Sequence, residues 1–426
     1  MIWKVKKSKL SGSIIIPPSK SHTIRAVLIA TLAGGTSTLQ NILTTGDGGS
    51  ALSAARSMGA TVDVSDHTVS ITGINSDFTR GSTDFNMENS GTGTCLFTSA
   101  AALGSKPRTF DGDASLRSRP MKPLLKALAD LGAIITRHEQ NRDLPFTITG
   151  PLTGGLTKIN GINSQYVSSL LFSTPLSKNN TTIMVENLHE RPYVEMTLWW
   201  LNKMGIAYTA APDLSRFEIA GNQRYHAITE TIPGDFSSAT FALCAAALCG
   251  SAVSISGIDF TDPQGDKAVF DMVQKMGCGV TKNQKSAVLS ASSTMRGCML
   301  DLNTTPDALP ALAVLACSAQ GQTHLANVKQ ARIKETDRLK VMNAELTRMG
   351  AHIAELDDGL IIDNSPLKGT TVNGHSDHRV VMALALAGMV AEGETIITTA
   401  EAADVTYPTF VRDFKALGAA IEVINE

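Results

Sequence analysis

The 426-residue chain has few charged residues and no excess of either sign. Asp, Glu, Lys and Arg make up 18% of the sequence, below the usual quarter, and the formal net charge is −2. A marked positive charge is the usual sequence sign of a protein that binds nucleic acid or an anionic membrane surface. Because that sign is missing, we expect neither of these as a partner.

Metal-binding spacings and long apolar runs are also missing. No two cysteines form a CxxC pair, and no cysteine and histidine have the spacing of a metal site. No apolar stretch reaches the ~20 residues of a membrane-spanning helix, and no signal-peptide pattern precedes Ile14. We expect no metal, no membrane span and unpaired cysteines in a reducing cytoplasm. The cysteines are Cys95, Cys244, Cys249, Cys278, Cys298 and Cys317.

The sequence does contain a repeat with a period of about 73 residues. An apolar residue, a glycine and a short strand pattern recur together, with intervals of 73, 73, 72, 73 and 68 residues between the glycines. An apolar helix pattern followed by a turn and a Thr/Ser-rich strand recurs independently with the same period. Two unrelated signals with one period predict six structural repeats. The glycines are Gly59, Gly132, Gly205, Gly277, Gly350 and Gly418.

Each repeat reads as an apolar helix, a turn, a strand, an amphipathic helix, a glycine cap and a strand. In the fifth repeat, Leu339, Met342, Leu346 and Met349 form one apolar stripe of the amphipathic helix. The first helix is apolar on every side, which predicts that sheets and outer helices enclose it. We expect an α/β protein of two lobes with three repeats each, one formed by residues 1–18 and 234–426 and the other by residues 19–233.

The first apolar helix carries cations at its start. Pro17 and Pro18 end the preceding strand, and Lys20, Ser21 and Arg25 follow within the first turns. A helix N-terminus offers free N–H groups and positive partial charge, so these residues predict an anion site that suits phosphate. A capped helix with two solvated cations is the alternative. In the same repeat, Asp47 is predicted to cap the amphipathic helix.

Similar features begin other helices. Gly91 lets a ligand approach the backbone at the start of the second apolar helix, although a simple glycine-containing cap is the alternative. Arg119 and Arg191 each precede a proline at a predicted start of an amphipathic helix, where a cation opposes the helix dipole. A bound anion explains both placements.

The fifth and sixth repeats add titratable residues. The amphipathic helix of the fifth repeat is predicted to begin at Arg332. Lys334 and Arg338 are predicted to share a helix face beside Glu335, which is either a structural ion-pair partner or, beside an anionic substrate, a proton carrier. His378 by itself is more often a structural histidine than a catalyst.

The repeat places polar residues in one register. Equivalent positions at the starts of the apolar helices hold Lys20, Gly91, Gln165, Asp235, Asp307 and His378. Around Gln165 the polar side chains suit hydroxyl recognition, whereas Asp235 reads as a structural cap. We expect the helix starts of the two lobes to converge on a cationic cleft for small polyanions.

The chain also resembles a known family. The blocks that carry the resemblance are PPSKSHTIRA (17–26), ENSGT (88–92), SRP (118–120), NSQY (163–166), TPDALP (305–310), RIKETDR (332–338) and SDHRVVMA (376–383). In order and spacing they resemble the signature blocks of the 5-enolpyruvylshikimate-3-phosphate (EPSP) synthases across essentially the whole chain. The resemblance implies a two-domain inside-out α/β barrel of six βαβαββ repeats, three per domain, with the active site between the domains.

The resemblance further implies transfer of the enolpyruvyl group of phosphoenolpyruvate to the 5-hydroxyl of shikimate 3-phosphate, without metal or organic cofactor. It implies proton transfer by Asp307 and Glu335, assisted by Lys20. It implies shikimate 3-phosphate binding by Lys20, Ser21, Arg25, Ser164, Gln165, Arg191, Asp307, Gln330 and Lys334. It implies phosphoenolpyruvate binding by Lys20, Gly91, Arg119, Gln165, Arg338 and Arg379.

The sequence departs from this family pattern at a few positions. Cys95 stands where many members have arginine, and Val405 stands where some have lysine. Asn163, Glu190 and Gln330 replace the serine, serine and asparagine of some relatives.

Two other functions remain open at this point. A UDP-N-acetylglucosamine enolpyruvyl transferase would carry a cysteine between Asp111 and Pro120, and this chain has none there. A non-catalytic protein that senses a phosphorylated metabolite would need only the cations, whereas this chain also has Asp307 and Glu335. We expect a monomeric cytoplasmic enzyme with small-molecule substrates.

Overall fold

The computed structural model describes residues 1–66, 68–249, 252–290 and 294–425. The chain forms two compact units. Unit 1 contains Met1–Ser19 and Pro233–Glu426, and unit 2 contains Lys20–Ile232. The chain therefore crosses from one unit to the other twice, and each unit has its own hydrophobic core.

The strands of the described residues are short and numerous. They are β1 (Ile2–Lys6), β2 (Gly12–Ile15), β3 (Thr36–Gln40), β4 (Thr61–Ser65), β5 (Thr68–Thr72), β6 (Asp84–Asn86), β7 (Arg108–Asp111), β8 (Ile134–Arg137), β9 (Phe146–Thr149), β10 (Gly155–Asn160), β11 (Thr181–Glu186), β12 (Tyr208–Ala210), β13 (Arg216–Ile219), β14 (Thr229–Thr231), β15 (Val253–Ser256), β16 (Gly279–Asn283), β17 (Ser286–Ser290), β18 (Met299–Asp301), β19 (Gln322–Ala326), β20 (Ile353–Leu356), β21 (Gly359–Asp363), β22 (Thr371–Asn373), β23 (Glu394–Thr398) and β24 (Ala420–Ile424).

The α-helices alternate with these strands. They are α1 (Lys20–Leu32), α2 (Gly46–Met58), α3 (Gly91–Ala101), α4 (Ala114–Ser118), α5 (Lys122–Asp130), α6 (Ser164–Ser173), α7 (Arg191–Lys203), α8 (Phe236–Cys249), α9 (Val269–Lys275), α10 (Leu309–Cys317), α11 (Arg338–Arg348), α12 (His378–Val390) and α13 (Phe410–Leu417). Short 3-10 helices span Thr174–Leu176, Gly265–Ala268, Pro306–Ala308, Lys329–Ile333 and Ala400–Val405.

The predicted six βαβαββ repeats are confirmed, with three in each unit. Every repeat builds one four-stranded sheet, in which the first two strands pair in parallel and the other pairs are antiparallel. In the third repeat, for example, the order is β10-β11-β13-β12. The parallel pair needs a crossover helix, and in the second, third, fifth and sixth repeats the apolar helix connects the first strand to the second.

Strands from distant parts of the chain complete three of the sheets. The first repeat takes its first strand from β14, immediately before the chain leaves unit 2, and the fourth takes its first strand from β2. In the sixth repeat β1 lies between β23 and β24. The N-terminal strands β1 and β2 belong to different sheets and so form no hairpin with each other, whereas β2 is an edge strand of its sheet.

The apolar helices form the centre of each unit, as predicted. In unit 2 the helices α1, α3 and α6 pack together, and in unit 1 the helices α8, α10 and α12 do so. Every residue of α10 is buried, and in α1 only Ser21 is partly exposed. The apolar stripe of α11 is also confirmed, since Leu339, Met342 and Leu346 are fully buried.

The six glycines of the repeat all end amphipathic helices in the left-handed region that favours glycine. Their φ angles run from 68° at Gly205 to 109° at Gly418. A side chain at these positions would be strained, which explains why the glycine marks the period so clearly in the sequence.

Candidate active site

The register predicted from the sequence is confirmed by the helix boundaries. Lys20, Gly91 and His378 are the first residues of α1, α3 and α12, and Gln165 is the second residue of α6. Asp235 immediately precedes α8, and Asp307 lies in the 3-10 turn before α10. Each buried helix therefore presents one of these residues at its N-terminus, where the backbone N–H groups are free.

Lys20 forms a buried ion pair that the sequence analysis missed. Its Nζ lies 3.1 Å from Oδ2 of Asp47, and the two side chains are only 10% and 6% exposed. The prediction that Asp47 caps α2 is wrong, since the N-cap residue is Thr45 and makes no side-chain capping bond. The carboxylate therefore holds the ammonium group at the start of α1 instead of serving its own helix.

Arg25 is almost fully buried, and its hydrogen-bond acceptors are uncharged. Its guanidinium donates to the carbonyl oxygens of Ser21 and Tyr193 and to the hydroxyl groups of Thr197 and Ser168, at 3.0–3.4 Å. Burial lowers the pKa of Arg25 to about 10, which still leaves the side chain protonated at neutral pH. Arg25 therefore connects the start of α1 to α6 and α7 and places a cation among neutral groups.

Arg119 lies against the start of α3. A Cβ atom at Gly91 would come within 2.6 Å of Arg119 Nη1, so a side chain there would displace the guanidinium from this position. The guanidinium also donates to the side chains of Asn89 and Ser115. The predicted place of Arg119 at a helix start is wrong, because it follows the short helix α4 and precedes α5. Guanidinium and helix N-terminus together nevertheless concentrate positive charge at Gly91.

Gln165 connects the starts of α6 and α3. Its Nε2 donates to Thr92 Oγ1 over 2.7 Å, and its backbone N–H donates to the side chain of Asn163, the N-cap residue of α6. Cys95 Sγ lies 3.8 Å from Gln165 Oε1. Burial raises the pKa of the Cys95 thiol to about 12, so this position is neutral where the resemblance predicts an arginine in many relatives.

Ser164 and Arg191 flank a buried carboxylate. Ser164 Oγ donates to Oε2 of Glu190 over 2.7 Å, and both residues are at most 2% exposed. Arg191 begins α7 as predicted, but its half-exposed guanidinium binds Glu195 and the carbonyl oxygen of Pro212. The described contacts therefore place Ser164 in the buried interior and Arg191 at the surface of α7.

In unit 1, three carboxylates surround the guanidinium of Arg338. Asp377 accepts from Nε and Nη2 at 2.8 and 3.1 Å, Asp307 accepts from Nη1 at 2.8 Å, and Glu335 accepts from Nη2 at 2.6 Å. Burial alone would lower the pKa of Arg338, but the three carboxylates outweigh it and raise the pKa above its ordinary value. We call Asp307, Glu335, Arg338, Asp377 and Arg379 the carboxylate cluster.

Asp307 joins the two arginines of this cluster. Its Oδ1 binds Arg338, and its Oδ2 lies 2.9 Å from Arg379 Nη2. Asp377 is the N-cap residue of α12 and accepts from the backbone N–H of Arg379. Asp307 and Glu335, the two predicted proton carriers, are therefore held on one guanidinium that Asp377 also binds.

The segment before α11 differs from the predicted helix. Residues Lys329–Ile333 form a 3-10 helix and α11 begins only at Arg338, so the prediction that Lys334 and Arg338 share a helix face is wrong. Asp337 caps α11 through Lys340 N, and this requires an extended backbone before the helix. Gln330 is buried, and its Nε2 donates to the carbonyl oxygen of Asn303.

Asp235 and His378 occupy the equivalent register positions of the fourth and sixth repeats. Asp235 accepts from Ser237 N over 2.9 Å, as expected of a structural cap. His378 is buried, with Nδ1 4.0 Å from Asp377 Oδ1. No group of His, Cys, Asp or Glu side chains suited to a metal occurs among the described residues. Likewise, no helix within the described ranges is long and apolar enough to cross a membrane.

The chain is similar to known proteins over nearly its whole length. The family model described as EPSP synthase (3-phosphoshikimate 1-carboxyvinyltransferase) matches residues 5–414. The 3-phosphoshikimate 1-carboxyvinyltransferase of Acetivibrio thermocellus is 47% identical over 421 residues, which are 99% of each chain. That of Ruminiclostridium cellulolyticum is 45% identical over 424 residues and the full length of both chains. The solved EPSP synthase of Acinetobacter baumannii superposes with a TM-score of 0.83 at 25% identity, covering 100% of both chains.

Proposed function

Because the chain belongs to the EPSP synthase family, we propose that it transfers the enolpyruvyl group of phosphoenolpyruvate to the 5-hydroxyl of shikimate 3-phosphate and releases inorganic phosphate. It is thus a transferase of aromatic amino acid biosynthesis. The observation that carries the mechanism is the carboxylate cluster, because a binding protein for polyanions has no need of two carboxylates on one buried guanidinium.

The reaction requires proton transfers in both directions. In the addition step the 5-hydroxyl loses its proton, its oxygen bonds to C2 of phosphoenolpyruvate, and the methylene carbon C3 gains a proton. In the elimination step C3 gives up a proton, the double bond re-forms, and the bond from C2 to the phosphate oxygen breaks. Positioned carboxyl groups can act as the base in one step and the acid in the other.

Asp307 and Glu335 are the proposed proton carriers. Arg338 holds both side chains, with donor–acceptor distances of 2.8 and 2.6 Å, so their carboxyl groups have fixed positions before substrate binds. The predicted phosphoenolpyruvate ligands Arg338 and Arg379 supply the positive charge next to these carboxylates. Lys334 and Gln330 belong to the proposed shikimate 3-phosphate ligands of this unit.

The proposed ligands of unit 2 hold the anionic groups. Arg119, Gly91 and Gln165 bind phosphoenolpyruvate, and the guanidinium on the N-terminus of α3 supports this role. The proposed shikimate 3-phosphate ligands here are Lys20, Ser21, Arg25, Ser164, Gln165 and Arg191. Lys20 additionally binds phosphoenolpyruvate and assists proton transfer, and Asp47 keeps its ammonium group in place.

We propose that residues of both units serve this one reaction, and that the enzyme is a cytoplasmic monomer. Support for the compartment comes from the six cysteines, none of which forms a disulfide in the described structure. Sedimentation equilibrium tests the monomer, for which we expect a mass of 45.0 kDa at micromolar concentration. A mass near twice this value would contradict it.

Phosphate release with two acceptors tests the proposed activity. The protein is incubated with phosphoenolpyruvate and either shikimate 3-phosphate or UDP-N-acetylglucosamine. We expect phosphate only with shikimate 3-phosphate. Release only with the nucleotide sugar would assign the other enolpyruvyl transfer, and binding of shikimate 3-phosphate without any release would assign a sensor.

A further inference from the structure

The turn that precedes α12 holds two residues in an unfavourable backbone conformation. It covers residues 373–377 and connects β22 to α12, and we call it the α12 turn. His375 and Ser376 have φ angles of 53° and 55°, in the left-handed region that a residue with a side chain seldom adopts. Strained residues of this kind persist only where the surrounding structure holds them.

The equivalent turns of other repeats are less strained. In four repeats the first strand ends in an Asn or Asp whose side chain accepts the backbone N–H two residues further on. These residues are Asn86, Asn160, Asp301 and Asn373. Among these four turns, the α12 turn alone has two consecutive non-glycine residues with positive φ. The strain therefore has a cause that is particular to the sixth repeat.

A buried carboxylate on α11 holds the α12 turn. Glu345 is 2% exposed, and its Oε2 accepts from the backbone N–H of Asn373 over 3.1 Å. Its Oε1 lies 2.9 Å from Nε2 of His375. Because a carboxylate accepts hydrogen bonds, Nε2 of the histidine is the donor. Two atoms of the turn thus bind one side chain of the neighbouring helix.

The same helix binds the other end of the turn through Arg338. Arg338 and Glu345 are seven residues apart, so they lie on one face of α11. Arg338 binds Asp377, the last residue of the turn, and Glu345 binds Asn373, the first. The α12 turn is therefore fixed along α11 at both ends, and His375 adds a contact between them.

The turn determines where Asp377 lies in the carboxylate cluster. Asp377 caps α12 and binds the guanidinium that also holds Asp307 and Glu335. If the turn relaxed out of the left-handed conformation, Asp377 would move relative to α11. A displacement of about 1 Å at a distance from the reacting atoms can lower a rate about 100-fold.

We propose that Glu345 and His375 are positioning residues: together they hold the α12 turn in its strained conformation and so place Asp377 on Arg338. This inference rests on the proposed function. The pair acts through Asp377 and the carboxylate cluster, so it affects turnover more than the binding of shikimate 3-phosphate.

Substitutions at His375 test the proposal, because its side chain is 33% exposed and can be removed without opening the core. The kcat value is measured per folded molecule, below the melting temperature of each variant. We expect His375→Ala to lower kcat about 10- to 100-fold while calorimetric binding of shikimate 3-phosphate stays within about threefold of wild type. His375→Gln should keep kcat within about threefold, because its amide nitrogen can replace Nε2 as the donor to Glu345.

Three further variants separate the backbone from the side chains. His375→Gly should be faster than His375→Ala but slower than wild type, because glycine adopts the left-handed conformation without strain. Combining His375→Ala with Glu345→Ala should give an enzyme no slower than Glu345→Ala alone, since both changes remove one shared contact. Arg348→Ala is the matched control and should behave as wild type, because Arg348 lies 3.6 Å from the same carboxylate and is exposed.

Hydrogen exchange tests the turn without the reaction. The backbone N–H groups of Asn373 and Ser376 donate to Glu345 and to Oγ1 of Thr399. Both should exchange about 10-fold faster or more in His375→Ala than in wild type or His375→Gln, because the turn then opens more often.

Three results would overturn the proposal: wild-type kcat in His375→Ala, a His375→Gln variant as slow as His375→Ala, or exchange that is equally slow in all variants. A lower melting temperature with unchanged kcat per folded molecule would likewise contradict it, since the pair would then serve stability alone. Failure of the proposed function is distinguishable, because wild type itself would then release no phosphate with shikimate 3-phosphate.

Discussion

Arg25 in unit 2 and Arg338 in unit 1 are both buried to within 1% exposure, but their surroundings differ. Arg25 donates to carbonyl and hydroxyl oxygens, and burial lowers its pKa. Arg338 donates to three carboxylates, which together raise its pKa. The hydrogen-bond partners of Arg25 thus leave its positive charge uncompensated, whereas the three carboxylates around Arg338 carry more negative charge than its guanidinium carries positive charge.

This difference indicates two roles for buried arginines in the same repeat architecture: binding an anionic substrate and holding carboxylates that transfer protons. A cation among neutral groups attracts an anionic substrate, whereas carboxylates fixed on a cation can exchange protons with one. Arg119 at Gly91 follows the first pattern, and Arg379 at Asp307 follows the second. We therefore expect substitutions in unit 2 to affect mainly substrate binding and substitutions in the carboxylate cluster to affect mainly turnover.

Glu335→Gln should give the largest effect on activity. The amide keeps the shape of the side chain but cannot carry the proton, and a positioned acid or base contributes about 10²–10⁴-fold to rate. We expect kcat to fall by that factor while calorimetric binding of shikimate 3-phosphate stays within a few-fold of wild type. Glu394→Gln, at an exposed pair with Lys6, is the control. Loss of binding in parallel with kcat would assign Glu335 a structural role.

Arg338→Met and Arg25→Met should separate the two regions by stability. Removal of Arg338 leaves Asp307, Glu335 and Asp377 without their shared cation, and breaking such a buried pair costs about 3–5 kcal/mol. Removal of Arg25 also removes the cost of burying its charge, so we expect a loss below about 2 kcal/mol. Urea midpoints measure both, and equal shifts would contradict the contrast.

Arg119→Ala should mainly weaken substrate binding while the protein folds normally. Lys20→Ala should weaken substrate binding too, but it also leaves the buried carboxylate of Asp47 without its cation and should therefore lower the free energy of unfolding. Each removes a charge-assisted contact worth about 1.5–3 kcal/mol, which corresponds to a KM increase of about 10- to 150-fold. Arg117→Ala is the matched control, since Arg117 lies two residues away and pairs with Asp111 at the surface. Wild-type KM values in the Arg119 or Lys20 variant would exclude that residue from the site.

Cysteine alkylation at pH 8 should have the smallest effect. The pKa of the Cys95 thiol is raised by burial to about 12, so almost no thiolate exists until the pH approaches that value, and the sulfur is 2% exposed. Mass spectrometry should find modification first at the partly exposed Cys249 and Cys298, with activity retained. Rapid inactivation that Cys95→Ser prevents would show that the thiol is accessible.

The repeat architecture was predictable from the sequence, because its signals are local. The helix-ending glycines need a left-handed backbone, and buried helices need apolar residues on every side. The sheet partners β14, β2 and β1 were not predictable in this way. Their pairing depends on contacts between residues far apart along the chain, and the pattern of a short strand does not indicate which strand it pairs with.

The candidate site was predictable in its residue types and register but not in its pairings. From the sequence, Asp47 was predicted to cap α2, and α11 was predicted to begin at Arg332. Both predictions failed because the sequence does not show that Asp47 binds Lys20 instead, or that the helix begins only at Arg338. Arg332 in fact binds Asp337 and Glu355. The Glu190–Ser164 bond likewise joins residues 26 positions apart and leaves no spacing signal.

Deuterium incorporation tests most directly the claim that the carboxylate cluster moves protons to and from the substrate. The reaction is run in D₂O, and the vinyl methylene of the product is analysed by mass spectrometry. Addition places one solvent deuteron on C3 beside two hydrogens, and elimination then removes one of the three, so part of the product should retain deuterium. Glu335→Gln should incorporate deuterium into product and into recovered phosphoenolpyruvate about 10²–10⁴-fold more slowly than wild type. A wild-type product free of deuterium would contradict the account, because transfer would then have occurred without protonation of C3.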